Sequence, residues 1–226
     1  MPQSSSIRNS TLLAELMRMA FWMIFFYLDV SKQFNTTALP WNNLNKFLPN
    51  DGVSACSGGN NNDIFLFSGL IVTEFTVFTV KYDINNQKWT DNITNGPSPR
   101  SYISCAKFNN QLIAIFAGLA DGRNNPNDLW IFDSLALTWS LSNAPNPPQP
   151  IWSYCAITLP DQTILYMGGT AYENVTTEIL MPLNSIPLYD SASDMWKTLE
   201  TSGPTPPSRK AFSAVLSMSF DNVNVK

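Results

Sequence analysis

One seven-residue phrase occurs three times in this chain, and it limits the fold more than any other feature. "DINNQKW" at 83–89, "DSLALTW" at 133–139 and "DSASDMW" at 190–196 each begin with an aspartate that follows an aromatic residue and end in a tryptophan. The tryptophans Trp89, Trp139 and Trp196 stand 50 and 57 residues apart, so the chain repeats with a period of about fifty. A proline-rich stretch follows each: "GPSPR" at 96–100, "NPPQP" at 146–150 and "GPTPPSR" at 203–209. Five residues after the last position of the loop comes a small residue in an apolar run, Cys105, Cys155 and Ala214, with Cys56 at the same place after Asp51. A second apolar run then closes on glycine, at Gly69, Gly118 and Gly169.

Each unit therefore carries four short apolar segments separated by turn signals, none long or amphipathic enough for a helix. The pattern predicts one four-stranded antiparallel sheet per unit, and about fifty residues per unit fits a propeller blade whose two faces are buried against neighbours. The aromatics Tyr82, Phe132 and Tyr189 fall on the third strand and the tryptophans on the fourth, where both fill the space between blades. Asp83, Asp133 and Asp190 cap the tight turn between those strands.

These residues resemble the kelch repeat, whose pattern has a diglycine ending the second strand, a Tyr-Asp or Phe-Asp, a tryptophan about six residues on, and an arginine before the next unit. Gly168 and Gly169 match the diglycine in full, while Ser68-Gly69 and Ala117-Gly118 keep its second member; Arg100 and Arg209 match the arginine. The resemblance covers roughly residues 24–220 and extends to propellers similar to the galactose-oxidase central domain and to the attractin and muskelin propellers. It implies an all-β, kelch-type β-propeller with about three complete blades. The expected units are 51–95, 96–145 and 146–202, with partial units at 23–50 and 203–226 inside one propeller region, 23–226. Kelch rings close with about five to seven blades, so a fragment, an open arc with poorly soluble ends and a ring completed by self-association are the alternatives.

Residues 1–22 form an N-terminal tail with signal-like and helical readings. "MIFFYLDV" at 23–30 reads as the third strand of a leading blade, with Asp29 in its turn and Trp41 displaced by an insertion. The apolar run 19–28 is about half as long as a bilayer span requires, so strand, signal and anchor all stay open. Asn9, Asn35, Asn92 and Asn174 head Asn-x-Ser/Thr triplets, which lean towards secretion; an Asn- and Thr-rich chain also produces such triplets by chance. Cytoplasmic and secreted or membrane-associated locations stand equal.

The chain has no histidine, which removes Ser-His-Asp and Cys-His relays and any His-ligated metal centre, including a galactose-oxidase-like copper site. Its net charge of -4 gives no basic stripe for nucleic acid. Cys56, Cys105 and Cys155 recur at one blade position, so each is expected to be a small buried residue. Neighbouring blades are expected to hold them too far apart for a disulfide, which needs Cα atoms within about 7 Å. Without C-x-x-C spacing no metal site is expected, and no cofactor. "SASDMW" at 191–196 faintly resembles a sialidase box but lacks its glycine and coincides with the repeat turn.

Function in a propeller resides in loops that vary while the sheets stay fixed. The second-to-third-strand loops 119–128 and 170–185 are the most irregular, and they offer Asp121, Arg123, Tyr172 and Glu173 as contact candidates. The expectation is a non-enzymatic kelch-repeat module that binds protein partners through these loops. Its rival is a piece of a secreted carbohydrate-active or galactose-oxidase-like propeller whose catalytic residues lie outside this chain.

Overall fold

The computed structural model describes residues 22–28, 33–49, 52–67, 78–109, 111–120, 125–174 and 176–216. The chain divides into two compact units, residues 1–51 and 52–226. In the first, β1 (Trp22–Tyr27) pairs antiparallel with β2 (Asn42–Pro49) across a register shift between Ile24 and Phe26. The leading segment is thus a strand, and Trp41 stands just before β2, 41% exposed. Asp29 and most of the N-terminal tail lie outside the described residues.

The second unit contains three meanders of one plan. β3 (Ser54–Gly58), β4 (Asp63–Phe67), β5 (Thr79–Asp83) and β6 (Lys88–Ile93) form the first sheet. A short β7 (Arg100–Ser101) leads to the second, built from β8 (Ala106–Phe108), β9 (Leu112–Phe116), β11 (Leu129–Asp133) and β12 (Thr138–Leu141), while β10 (Leu119–Ala120) pairs with β7. The third joins β13 (Cys155–Thr158), β14 (Ile164–Met167), β17 (Ser185–Asp190) and β18 (Met195–Glu200), with β15 (Thr170–Tyr172) and β16 (Glu178–Leu180) as a separate hairpin. Neighbouring strands within each meander are antiparallel. Among the described residues there is no helix, and no sheet closes on itself.

Successive strand residues point to opposite faces, and β9 shows what that does in the middle blade. Ile113 and Ile115 join a cluster with Phe65, Phe67 and Phe78 of the first blade, while Ala114 and Phe116 join Ile164, Tyr166 and Tyr189 of the third. All four β9 residues are fully buried because a blade lies on each side. The repeated phrase supplies the filling. Trp139 sets its ring 5.6 Å from Phe67 and donates from Nε1 to Thr79 Oγ1 at 3.2 Å, and Trp196 lies 4.8 Å from Phe116. Each aspartate accepts main-chain N–H groups of its own turn: Asp83 from Asn86, Asp133 from Leu135 and Ala136, Asp190 from Ala192 and Ser193. A residue with left-handed backbone, Gln87, Leu137 or Asp194, ends each turn and returns the chain to the fourth strand.

A second device links the blades through the main chain. The Tyr102 N–H donates to the Gly52 carbonyl, the Ser153 N–H to the Tyr102 carbonyl and the Ala211 N–H to the Ser153 carbonyl, at 2.9, 2.6 and 2.9 Å. All four residues have left-handed backbone, with φ between 52° and 69°. The repeat glycines add parallel links, Gly118 N–H to the Ile151 carbonyl and Gly169 N–H to the Arg209 carbonyl. Ala117, in the place of a first glycine, accepts φ 49°. Gly69 lies outside the described residues.

The cysteines depart from expectation. Cys56 and Cys105 form a disulfide with Cα atoms 6.2 Å apart, while Cys155 is a buried free thiol. The inner strands β3 and β8 run beside one another, so equivalent positions on them converge instead of standing a blade width apart. Closing a loop across 49 residues should contribute about 3–4 kcal/mol. Reduction, or the double replacement of Cys56 and Cys105 by alanine, should lower stability by that amount in urea titration, whereas Cys155→Ser should leave sensitivity to reductant unchanged.

Gly169 and Gly203 offer a controlled comparison, since both have φ 89°. A Cβ on Gly203 would meet nothing within 4 Å, but on Gly169 it would lie 2.7 Å from the Trp152 carbonyl oxygen and 2.9 Å from Tyr154 Cβ. Gly203→Ala should cost only the backbone strain, about 1–2 kcal/mol. Gly169→Ala should cost roughly 1–3 kcal/mol more from the added clash. Urea midpoints of the two variants measure the difference.

Candidate functional site

In the third blade the connection from β14 to β17 emerges at the same end as the proline-rich connector into that blade. That connection extends to the β15–β16 hairpin, closed at its tip by the Glu173 N–H donating to the Thr177 carbonyl at 3.0 Å. The connector holds its base. Trp152 and Thr170 exchange main-chain hydrogen bonds of 3.0 and 2.9 Å, and Gln149 Nε2 donates to the Tyr172 carbonyl at 2.6 Å. The buried Trp152 ring lies 4.7 Å from that of Tyr172.

This geometry separates the sequence candidates. Tyr172 is half-buried against Trp152, and Glu173 is exposed at the tip. Asp121 and Arg123 belong to the corresponding loop of the second blade and lie outside the described residues. Sequence reasoning missed Leu180, which is 46% exposed on β16 of the same hairpin. Its signal was the run "ILMPL" at 179–183, apolar beyond what a solvated loop needs.

Arg100 and Arg209 share a repeat position but not an environment. Arg100 is buried and its guanidinium is fully engaged: Nε donates to the Ser98 carbonyl, Nη1 to the Ala117 carbonyl and Asp128 Oδ1, and Nη2 to Ser98 Oγ and Asp128 Oδ2. Asp128 also accepts from Trp130 Nε1 at 2.8 Å. This network ties the connector into the second blade to the loop that leaves β9, and no donor is left for a ligand. Arg209 is exposed, with Nε on the Pro207 carbonyl at 3.1 Å.

Three tyrosine phenols of the third repeat are buried. Tyr154 donates from Oη to the Phe116 carbonyl at 2.5 Å, and burial holds its ionisation far above the ordinary range. Tyr166 is raised by burial and then by the neighbouring Tyr154 and Tyr189, and its hydroxyl has no hydrogen-bond partner among the described residues. Burial and a hydrogen bond to Asp194 push Tyr189 up to about 12. At the turn, Asp190 is pulled down to about 2, first by its hydrogen bond from Lys197 and then by Ser193. Among the described residues no three His, Cys, Asp or Glu side chains gather into a group that would hold a metal ion.

Three antiparallel four-stranded sheets, packed through aromatic side chains and linked by left-handed connectors, define a propeller-type repeat protein. The family model for the KLHDC2/KLHL20/DRC7 Kelch-repeats domain matches residues 23–223. The chain belongs to the kelch-repeat family.

The phenols give a pH dependence of known sign. A folded pKa raised above the unfolded value of about 10 means stability that is complete below pH 10 and lost as the pH rises past it. Urea midpoints should therefore hold up to about pH 10 and fall steeply towards pH 12. Tyr166→Phe should be neutral or stabilising by up to about 1 kcal/mol, since it removes a buried hydroxyl without a partner. Tyr154→Phe should cost about 1–2 kcal/mol because it leaves the Phe116 carbonyl short of a donor.

Proposed function

We propose that this chain is a non-enzymatic protein-interaction module that binds its partner at the loop end of the blades. Kelch-repeat domains are typically non-enzymatic, and the family points to an interaction propeller. The observation that carries the reading is the β15–β16 hairpin, which presents an exposed leucine, Leu180, and an exposed acid, Glu173, on a base fixed by Trp152 and Gln149. Surface apolar groups on a rigid support bind at low entropic cost, because little is left to order on association. Asp121 and Arg123, in the corresponding loop segment of the preceding repeat, are further contact candidates in this reading. The partner is a protein with an apolar contact for Leu180 and a cation or N–H donors for Glu173.

The test is affinity capture followed by direct titration of the captured protein. Leu180→Asp and Glu173→Lys should each weaken binding at least tenfold, which corresponds to about 1.4 kcal/mol or more. Gln87→Ala, in a turn at the other end of the first blade, should leave affinity unchanged. Full affinity in both hairpin variants would overturn the reading.

A further inference from the structure

The three sequons within the described residues adopt two different local structures. At Asn35, Oδ1 accepts the Thr37 N–H at 2.9 Å and the Thr37 hydroxyl at 2.8 Å, while the Asn35 carbonyl accepts the Ala38 N–H at 3.1 Å. At Asn174, Oδ1 accepts the Thr176 N–H at 3.1 Å, the Thr176 hydroxyl at 3.0 Å and the Thr177 N–H at 3.0 Å. Both are tight turns that fold the triplet's hydroxyl back onto its own amide, and both asparagines are exposed. Asn92 instead stands in the extended outer strand β6. Thr94 lies just past the end of that strand, and among the described residues no hydrogen bond folds its hydroxyl onto the Asn92 amide.

The difference is chemical as well as geometric. Donors on Oδ1 draw charge from the amide and make its N–H groups more acidic, and among the described residues neither Nδ2 donates a hydrogen bond. The bonds involve only the triplet and the residue after it, so the turn can form in a nascent chain before the blades assemble. An independent observation agrees on the compartment: the Cys56–Cys105 disulfide is of a kind that persists where thiols are oxidised.

We propose that Asn35 and Asn174 are N-glycosylation acceptors on a chain that folds in an oxidising lumen, and that Asn92 is not an acceptor. The donor is an oligosaccharide linked through its reducing-end sugar to a polyprenyl diphosphate. A bond forms between Nδ2 and that sugar's C1, the bond from C1 to the phosphate oxygen breaks, Nδ2 gives up one proton and polyprenyl diphosphate leaves. At Asn174 the glycan stands at the hairpin tip beside Glu173, where it would limit which partners reach the loop surface.

The test expresses the full chain in cultured eukaryotic cells, once with its own N-terminal residues and once behind a cleavable secretory signal. Occupancy of each sequon is mapped by peptide mass spectrometry after glycosidase release. Two glycans are expected in both forms, at Asn35 and Asn174, with Asn92 bare. Asn35→Gln and Thr37→Ala should each remove one, Asn174→Gln and Thr176→Ala the other, while Thr37→Ser and Thr176→Ser should retain them. An unmodified Asn35 or Asn174 in the signal-led chain, glycan on Asn92, or a wholly unglycosylated chain when its own N-terminal residues lead would each overturn the assignment.

Discussion

The arrangement of the blades depends on a main-chain hydrogen-bond relay that runs Gly52, Tyr102, Ser153, Ala211. Each member holds a left-handed backbone, and three of the four are not glycine. A non-glycine residue in that region carries roughly 1–2 kcal/mol of strain, so each such connector stays in place only because its neighbours over-determine it. The relay sets the inner strands β3, β8 and β13 side by side. The Cys56–Cys105 disulfide, the links from Gly118 and Gly169, and Tyr154 next to Ser153 each occupy the space that this spacing creates.

Packing between blades then follows from strand alternation. β9 turns isoleucines to the first blade and the Ala114–Phe116 side to the third, and the recurrent tryptophan of the fourth strand closes the gap on its neighbour's aromatics. Apolar burial of this kind has no preferred direction. Direction comes from hydrogen bonds that only one register satisfies: Trp139 to Thr79, Tyr154 to the Phe116 carbonyl, Arg100 to Asp128. The loop end inherits this rigidity, since the connector that carries Ser153 also carries Trp152 and Gln149, which hold the hairpin.

The blade plan was legible because its signals are local. Turn aspartates at 83, 133 and 190, aromatics before them and tryptophans after them depend on contacts that recur with the period, so one chain read against itself reveals them. The candidate site was legible in part. Loop length marked the hairpin, and Glu173 stands exposed there, but the ring contact of Tyr172 with Trp152 joins residues twenty apart that no motif connects. The disulfide was misjudged for a related reason: equal spacing of the cysteines showed that they were equivalent, while their separation depends on how closely inner strands approach.

By itself, then, the sequence determined the four-stranded unit, its period, its turns and the residues that fill its faces, because these rest on side-chain type and short-range geometry. It also excluded histidine chemistry outright. Only the tertiary structure decided which cysteines meet, which of two equivalent arginines is buried, and that a glycine, a tyrosine, a serine and an alanine share one backbone role. Those outcomes depend on distances between segments about fifty residues apart, and a left-handed connector whose main chain makes the bond leaves no common side chain to read.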